Sequence, residues 1–275
     1  MAEGSAYIHG TAPDEQERLA RMNDLINAEC LRALGLRGER RLLDVGSGLG
    51  QFTRRLARAA GPGATVVGVE ASEAQLAEAR RLAEAEGEAA LVEFRKGAAE
   101  ELPLRAGEAG AFDLAHARFL LEHHRRPGAV VAEMVGAVRP GGRVVLLDDD
   151  HDVLRMHPEP GAALALWRAY IRSYDRLGCD PYVGRRLPAL LHQAGARPVR
   201  SDLVRYGACA GQPELGALVE NLARVMESAR ALMLVEGLAA EGDFEAMRAE
   251  LFSWAARPDA ALWYSICLAE GVRPG

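Results

Sequence analysis

Between residues 42 and 150 the hydrophobic positions follow two alternating patterns. Short apolar runs (RLLDVG, ATVVGVE, LVEFRKG, FDLAHA and GRVVLLD) predict strands, and the stretches near 51–60, 72–86 and 127–139 carry apolar residues at helical spacing. Strands of this kind separated by helices predict a parallel sheet covered on both faces. Pro140-Gly141-Gly142 predicts a turn where the last helix gives way to strand. Upstream, the amphipathic stretch Asp14 to Leu34, with Asp14 in a capping position, predicts a further helix. After Asp150, helical patterns at about 159–177, 185–194, 213–237 and 243–256 are interrupted by two strand candidates, RPVRSDLVRYG and ALWYSICLAE, which can close the same sheet. There is no repeat, low-complexity tract or flexible linker, so one elaborated domain is expected.

Composition narrows the class. A chain of 275 residues, 49% of them hydrophobic, can bury a sizeable core. No apolar run approaches the roughly 18 to 20 residues needed to span a bilayer, and MAEGSAYIHG lacks the basic and apolar regions of a signal peptide, so a cytoplasmic protein without a membrane partner is expected. Cys30, Cys179, Cys209 and Cys267 lie far apart with no paired spacing, which argues against a zinc site and a disulfide framework. The net charge of -6 is unfavourable for nucleic-acid binding, because phosphate neutralisation needs a basic face.

The stretch LLDVGSGLG, residues 42–50, carries the chemistry. A dinucleotide fold wants G-x-G-x-x-G with a pyrophosphate at the helix N-terminus. Here the spacing is G-x-G-x-G, and Asp44 precedes the first glycine by two residues, a poor neighbour for a pyrophosphate but a good one for an amino group. This spacing speaks against a nicotinamide-dependent oxidoreductase. A second acid, Glu70, ends the next strand, where a carboxylate can accept from both hydroxyls of a ribose. One acid near the turn and one at the ribose describe a ligand with a cationic amino-acid end and a nucleoside end, the shape of S-adenosylmethionine.

The ordered set LLDVGSGLGQFT, VVGVEAS, GAAEELPL, FDLAHARFLLEH and MVGAVRPGGRVVLLD resembles the class I S-adenosylmethionine-dependent methyltransferases, in the small-molecule branch similar to the ubiquinone and menaquinone methyltransferases. The resemblance implies a Rossmann-like, doubly wound α/β fold with a seven-stranded, mostly parallel sheet and an antiparallel last strand. It further implies an N-terminal helical lid over residues 1–40, a cofactor-binding core over 41–150, and closing strands with a helical substrate cap over 151–275. It places Asp44, Gly46, Ser47, Gly48 and Gly50 under the methionine moiety, Thr53 near its carboxylate, Glu70 at the ribose, and the Arg118 backbone along the cofactor. Tyr7, an aromatic before a helix, is similar to the covering residue of such lids. Where the family often has G-D-A-E-x-L-P, this chain has Ala98, Ala99 and Glu100. The side-chain acceptor for the adenine amino group is missing, leaving the Ala99 backbone amide, Glu100 or a water. The product would be S-adenosylhomocysteine. Ala98 is also the support for an alternative, a cofactor-binding protein of this fold that no longer transfers methyl.

Acceptor groups are expected beyond the carboxyl ends of the strands, where ligands of open α/β sheets bind. In HARFLLEHHRRP, His116 reads as a packed or surface residue, and His123 stands where the family often has a histidine. In DDDHDVLRMHPEP, His151 lies among acids that can make it a base. With Asp148 or Asp149 it could also collect a divalent cation, but adjacent acids commonly form a solvated loop, so no metal is expected. Trp167, Tyr170 and Tyr174 share one helix face. Such a stripe is commonly core; with Met226, Met233, Trp263 and Tyr264 it could instead wall an apolar acceptor pocket. The expectation is a methyltransferase acting on O, N or C of a small, largely apolar, natural-product or quinone-like molecule, with a homodimer compatible with this reading.

Overall fold

The computed structural model describes residues 26–275. After a helix over residues 26–34 (α1), five strands and three helices build the cofactor half: β1 (Arg41–Val45), α2 (Gln51–Ala60), β2 (Thr65–Glu70), α3 (Glu73–Ala85), β3 (Val92–Lys96), β4 (Phe112–Arg118), α4 (Pro127–Ala137) and β5 (Val138–Asp148). The second half adds β6 (Arg155–His157), α5 (Gly161–Leu177), α6 (Leu187–Gln193), β7 (Arg197–Cys209), α7 (Glu214–Ser228), α8 (Arg230–Val235), α9 (Glu241–Ala255) and β8 (Ala261–Val272).

The strands form one sheet in the order β3-β2-β1-β4-β5-β8-β6, with β7 also paired to β8. The first five are parallel, as their buried apolar runs predict, and β8 runs antiparallel to β5, β6 and β7. β6, three residues long, is an eighth strand that the apolar pattern did not signal. Helices α4 and α6 cover one face, where Val130, Met134, Leu187 and Leu191 pack on Leu43, Val45 and Leu146. On the other face Ile26, Leu34, Phe52 and Leu56 pack on Leu42, Leu114, Val145 and Ile266. A third apolar cluster joins α5, α7, α8 and α9 to the ends of β6, β7 and β8, forming a helical layer beside the sheet.

Two expectations differ from the structure in instructive ways. The helix before β5 ends at Ala137, before the Pro-Gly-Gly sequence, and Val138 is already extended. The residue before a proline is driven out of the helical region, so Arg139 cannot continue the helix and the strand is already under way from Val138. Pro140-Gly141-Gly142 then lies within the span of β5, where the β4 register shifts between Phe112 and Leu114. The helical pattern 213–237 divides at Ala229 into α7 and α8, where the Ser228 hydroxyl donates to the Val225 carbonyl at 2.7 Å and competes with the helical ladder. Asp14 and the start of the predicted N-terminal helix lie outside the described residues.

An ion-pair network ties the last strand to the front of the molecule. Arg143 on β5 bonds Glu270 on β8 at 3.0 Å, Glu39, and the carbonyls of Leu34 and Gly35 that end α1. Glu270 has no exposed surface and also pairs with Arg37. Burial works against its charge, but Arg143 and then Arg37 hold its pKa below the ordinary range. The four cysteines are free, and no helix among the described residues is long and apolar enough to cross a membrane.

Candidate functional site

The turn between β1 and α2 is tied to the end of β2, since the amides of Gly46 and Ser47 both donate to the Val69 carbonyl, at 2.8 and 2.9 Å. Glycine is demanded at Gly50, whose φ is +70° and where a Cβ would lie 2.3 Å from Cζ of Phe94 on β3. Gly48 differs: its φ is +53°, but an added Cβ would meet only Gln75 Oε1, at an ordinary contact distance of 3.7 Å, so its backbone is uncrowded.

Around this glycine the polar groups are arranged for a ligand. Glu70 is half-buried at the end of β2, and its carboxylate accepts from the amides of Gly48 at 3.1 Å and Ser72 at 2.8 Å. Ser47 Oγ and Gln51 Oε1 are buried and have no hydrogen-bond partner among the described residues. Buried polar atoms without partners are uncommon, so two at one glycine turn fit a ligand rich in polar groups. S-adenosylmethionine, with ribose hydroxyls and a charged amino-acid end, fits a turn lined this way.

Asp44 holds the turn in place. Its Oδ2 accepts from the Thr53 hydroxyl at 2.6 Å, and its Oδ1 meets His116 Nδ1 at 2.7 Å across the β1–β4 pairing. One carboxylate thereby links β1, α2 and β4. His116 is packed, its ring 4.7 Å from that of Phe52. The Arg118 guanidinium lies over the Phe52 ring at 4.5 Å. Ala98 is exposed and Ala99 buried, while Glu100 is bonded to His124 Nδ1 at 2.8 Å. One oxygen of Glu100 is thereby engaged with the imidazole. Tyr7 lies outside the described residues.

The segment after β4 connects this turn to a second cluster. The Leu120 side chain closes over Gly46, with Cδ1 2.7 Å from where a Cβ would stand. The amides of Leu120 and Leu121 donate to Asp148 Oδ2, at 3.1 and 2.8 Å, fixing this segment to the end of β5. Glu122 follows, and its Oε2 lies 2.9 Å from His151 Nε2 and 2.9 Å from the Tyr174 hydroxyl. His151 Nδ1 reaches the Tyr264 hydroxyl at 3.0 Å, and Tyr264 lies close to the Asp149 carboxylate. The rings of Trp167, Tyr170 and Tyr174 stand 5.2 to 5.6 Å from that of His151, which ties the aromatic stripe of α5 to the loop after β5. His123 stacks at 6.2 Å on Tyr174.

The acids after β5 do not form the solvated loop that their run suggests. Asp148 and Asp150 are buried, because the 3-10 turn Val183–Arg186 packs over them. The Gly184 amide donates to the Asp149 carbonyl at 2.9 Å, and Arg185 pairs with Asp150. Charge in this enclosure is unevenly held. Burial opposes a proton on His151, but Glu122, Asp149 and Asp150 outweigh it and raise the imidazole pKa. Burial and the Glu122 charge push Asp149 up to about 7. His123, in contrast, is driven by burial below the ordinary imidazole range. Met226 and Met233 are fully buried in the helical layer with Trp167, Tyr170 and Tyr174, whereas Trp263 is 53% exposed. Trp263 therefore points away from the enclosure, on the alternate face of β8 from Tyr264, as strand periodicity dictates.

Sequence reasoning singled out His151 and the α5 aromatics but missed Glu122 as their partner. No local signal marks it: Glu122 lies in a three-residue 3-10 turn, 29 positions from His151.

Comparison with known proteins agrees with this geometry. A family model described as a methyltransferase domain matches residues 43–146, from β1 to near the end of β5. An uncharacterized 37.1 kDa protein in a transposon of Streptomyces fradiae is 34% identical over 60% of this chain, and the chain spans 46% of that protein, about half its length. The ubiquinone/menaquinone biosynthesis C-methyltransferase of Methylobacterium nodulans is 31% identical over 215 residues, covering 69% of this chain and 82% of that protein. Among solved structures, a putative methyltransferase from Bacillus halodurans superposes with a TM-score of 0.59 over 90% of this chain and 99% of its own, at 17% identity, which shows the shared fold. The chain therefore belongs to the S-adenosylmethionine-dependent methyltransferases, in the branch that includes the ubiquinone/menaquinone methyltransferases.

Proposed function

We propose that this protein transfers a methyl group from S-adenosylmethionine to a small, largely apolar acceptor, held between the carboxyl ends of β4 and β5 and the aromatic face of α5. The observation that carries the reading is the uncrowded backbone at Gly48, bordered by the Glu70 carboxylate and the unengaged Ser47 Oγ and Gln51 Oε1. Bound S-adenosylmethionine supplies a sulfonium methyl that an acceptor lone pair takes in line, forming the new bond to carbon as the carbon–sulfur electron pair returns to sulfur.

The chain's own residues orient, shield and handle the proton. Glu70 accepts from the ribose hydroxyls, Thr53 and Asp44 stiffen the turn, and the Arg118 backbone lines the cofactor's edge. Helices α5, α7, α8 and α9 act as the cap that excludes water from the acceptor, with Trp167, Tyr170, Tyr174 and His123 as its walls and Met226 and Met233 behind them. A hydroxyl or ammonium acceptor loses its proton to the cluster centred on His151, where Glu122 balances the imidazolium that forms. Free thiols fit a reducing, cytoplasmic setting for the enzyme. A quinone-like or phenolic natural product fits the aromatic walls.

Calorimetric titration with S-adenosylhomocysteine, with NADH as control, tests the cofactor. Saturable one-site binding of S-adenosylhomocysteine alone is expected, and binding of NADH alone would overturn the reading.

A further inference from the structure

The enclosure beyond β5 contains an arrangement that methyl transfer as such does not require. Donor atoms of Glu122, Asp149 and His151 all lie within 4.8 Å of one another. Two donors on one first-row ion stand about 3.6 Å apart in a tetrahedral shell with bonds of about 2.2 Å, so side-chain shifts of up to about 1 Å would close these three around a centre. One of the two carboxylates also has an unmet hydrogen-bonding oxygen. Asp149 Oδ1 is shielded from solvent and has no hydrogen-bond partner among the described residues, although its carboxylate lies in a site where an unengaged oxygen is costly. The neighbouring acids have other duties: Asp148 caps the segment after β4 through the Leu120 and Leu121 amides, and Asp150 pairs with Arg185.

We propose that Glu122, Asp149 and His151 form a binding site for a divalent first-row cation. One imidazole with two carboxylates suits manganese, iron or zinc better than the all-oxygen shells of calcium or magnesium. The ion and the His151 proton are alternative occupants of the same enclosure, because a ligating imidazole must release its proton. The site lies at the carboxyl ends of β4 and β5, and on the methyltransferase reading this is beside the acceptor. An ion there would lower the pKa of an acceptor hydroxyl bound to it and hold the resulting oxyanion.

The test is titration of the full chain with MnCl2, followed by calorimetry and by the electron paramagnetic resonance signal of free Mn2+. Manganese is chosen because it does not favour the exposed thiol of Cys209. One ion per chain is expected, with affinity falling about tenfold or more in D149N and in H151Q. Circular dichroism and S-adenosylhomocysteine binding should be retained in both, showing that the fold and the cofactor turn survive. No binding to the wild type at millimolar free Mn2+, or binding that both substitutions leave intact, would overturn the site and leave a cluster that holds protons only. If Mn2+ binds and S-adenosylhomocysteine does not, the cofactor reading fails and the cation site stands.

Discussion

Replacing Glu70 by alanine separates the cofactor assignment from a purely structural role for this acid. In the ligand-free turn the carboxylate accepts from the Gly48 and Ser72 amides, at 3.1 and 2.8 Å. Removing it leaves two partly exposed amides that water can reach, for a stability loss of about 1 kcal/mol. On the ribose assignment, the same carboxylate accepts from two ribose hydroxyls in the complex, and bonds to a charged acceptor are each worth about 1.5 to 3 kcal/mol. Part of that is offset, because Glu70 gives up its hold on Gly48 to receive the ribose. A net loss of about 2 to 3 kcal/mol remains, which corresponds to S-adenosylhomocysteine binding roughly 30- to 150-fold weaker. Glu70→Gln keeps one acceptor oxygen without the charge and should fall between wild type and Glu70→Ala. Calorimetry on folded protein, checked by circular dichroism, reads the effect. A dissociation constant within threefold of wild type in Glu70→Ala would refute the ribose assignment and leave Glu70 as a cap of the turn.

Other substitutions test neighbouring links of the argument. Gly48→Ala forces an alanine into the left-handed region without a steric collision, so thermal unfolding should register only about 1 to 2 kcal/mol, while S-adenosylhomocysteine affinity is lost to the methyl group now occupying the ligand's approach. Gly50→Ala adds a collision with the Phe94 ring to the same backbone cost, so it should destabilise by more than Gly48→Ala; equal unfolding temperatures would contradict the packing described for β3. Arg143→Met removes the partner that Glu39 and Glu270 share, leaving Glu270 with Arg37 and Arg200, and should cost about 3 kcal/mol in urea unfolding. Glu108 is held down to about 2, chiefly by its bonds to Arg95, with burial opposing. A depressed carboxylate contributes stability that is present above the unfolded pKa and is lost as pH falls through the folded one. Glu108→Gln should therefore cost about 2 to 3 kcal/mol at pH 7 and almost nothing near pH 2, as read by unfolding across that range.

The cofactor half was legible in the sequence because its determinants are local. Three glycines within five residues, an acid two positions before them and another at the next strand end specify a turn whose parts touch one another along the chain. The parallel strands were equally readable, since burial on both faces leaves continuous apolar runs such as RLLDV and TVVGVE. The enclosure beyond β5 was decided by tertiary structure. Glu122, His151, Tyr174 and Tyr264 come from the segment after β4, the loop after β5, α5 and β8, and only the antiparallel return of β8 beside β5 brings Tyr264 to His151. The acids at 148–150 read as solvated because a run of like charges has no local reason to be buried. The reason is distant: the turn Val183–Arg186 lays the Gly184 backbone and the Arg185 guanidinium over them. Sequence alone thus determined the cofactor turn and its family. Long-range packing decided which acids lose water, what they face, and how strongly each holds a proton.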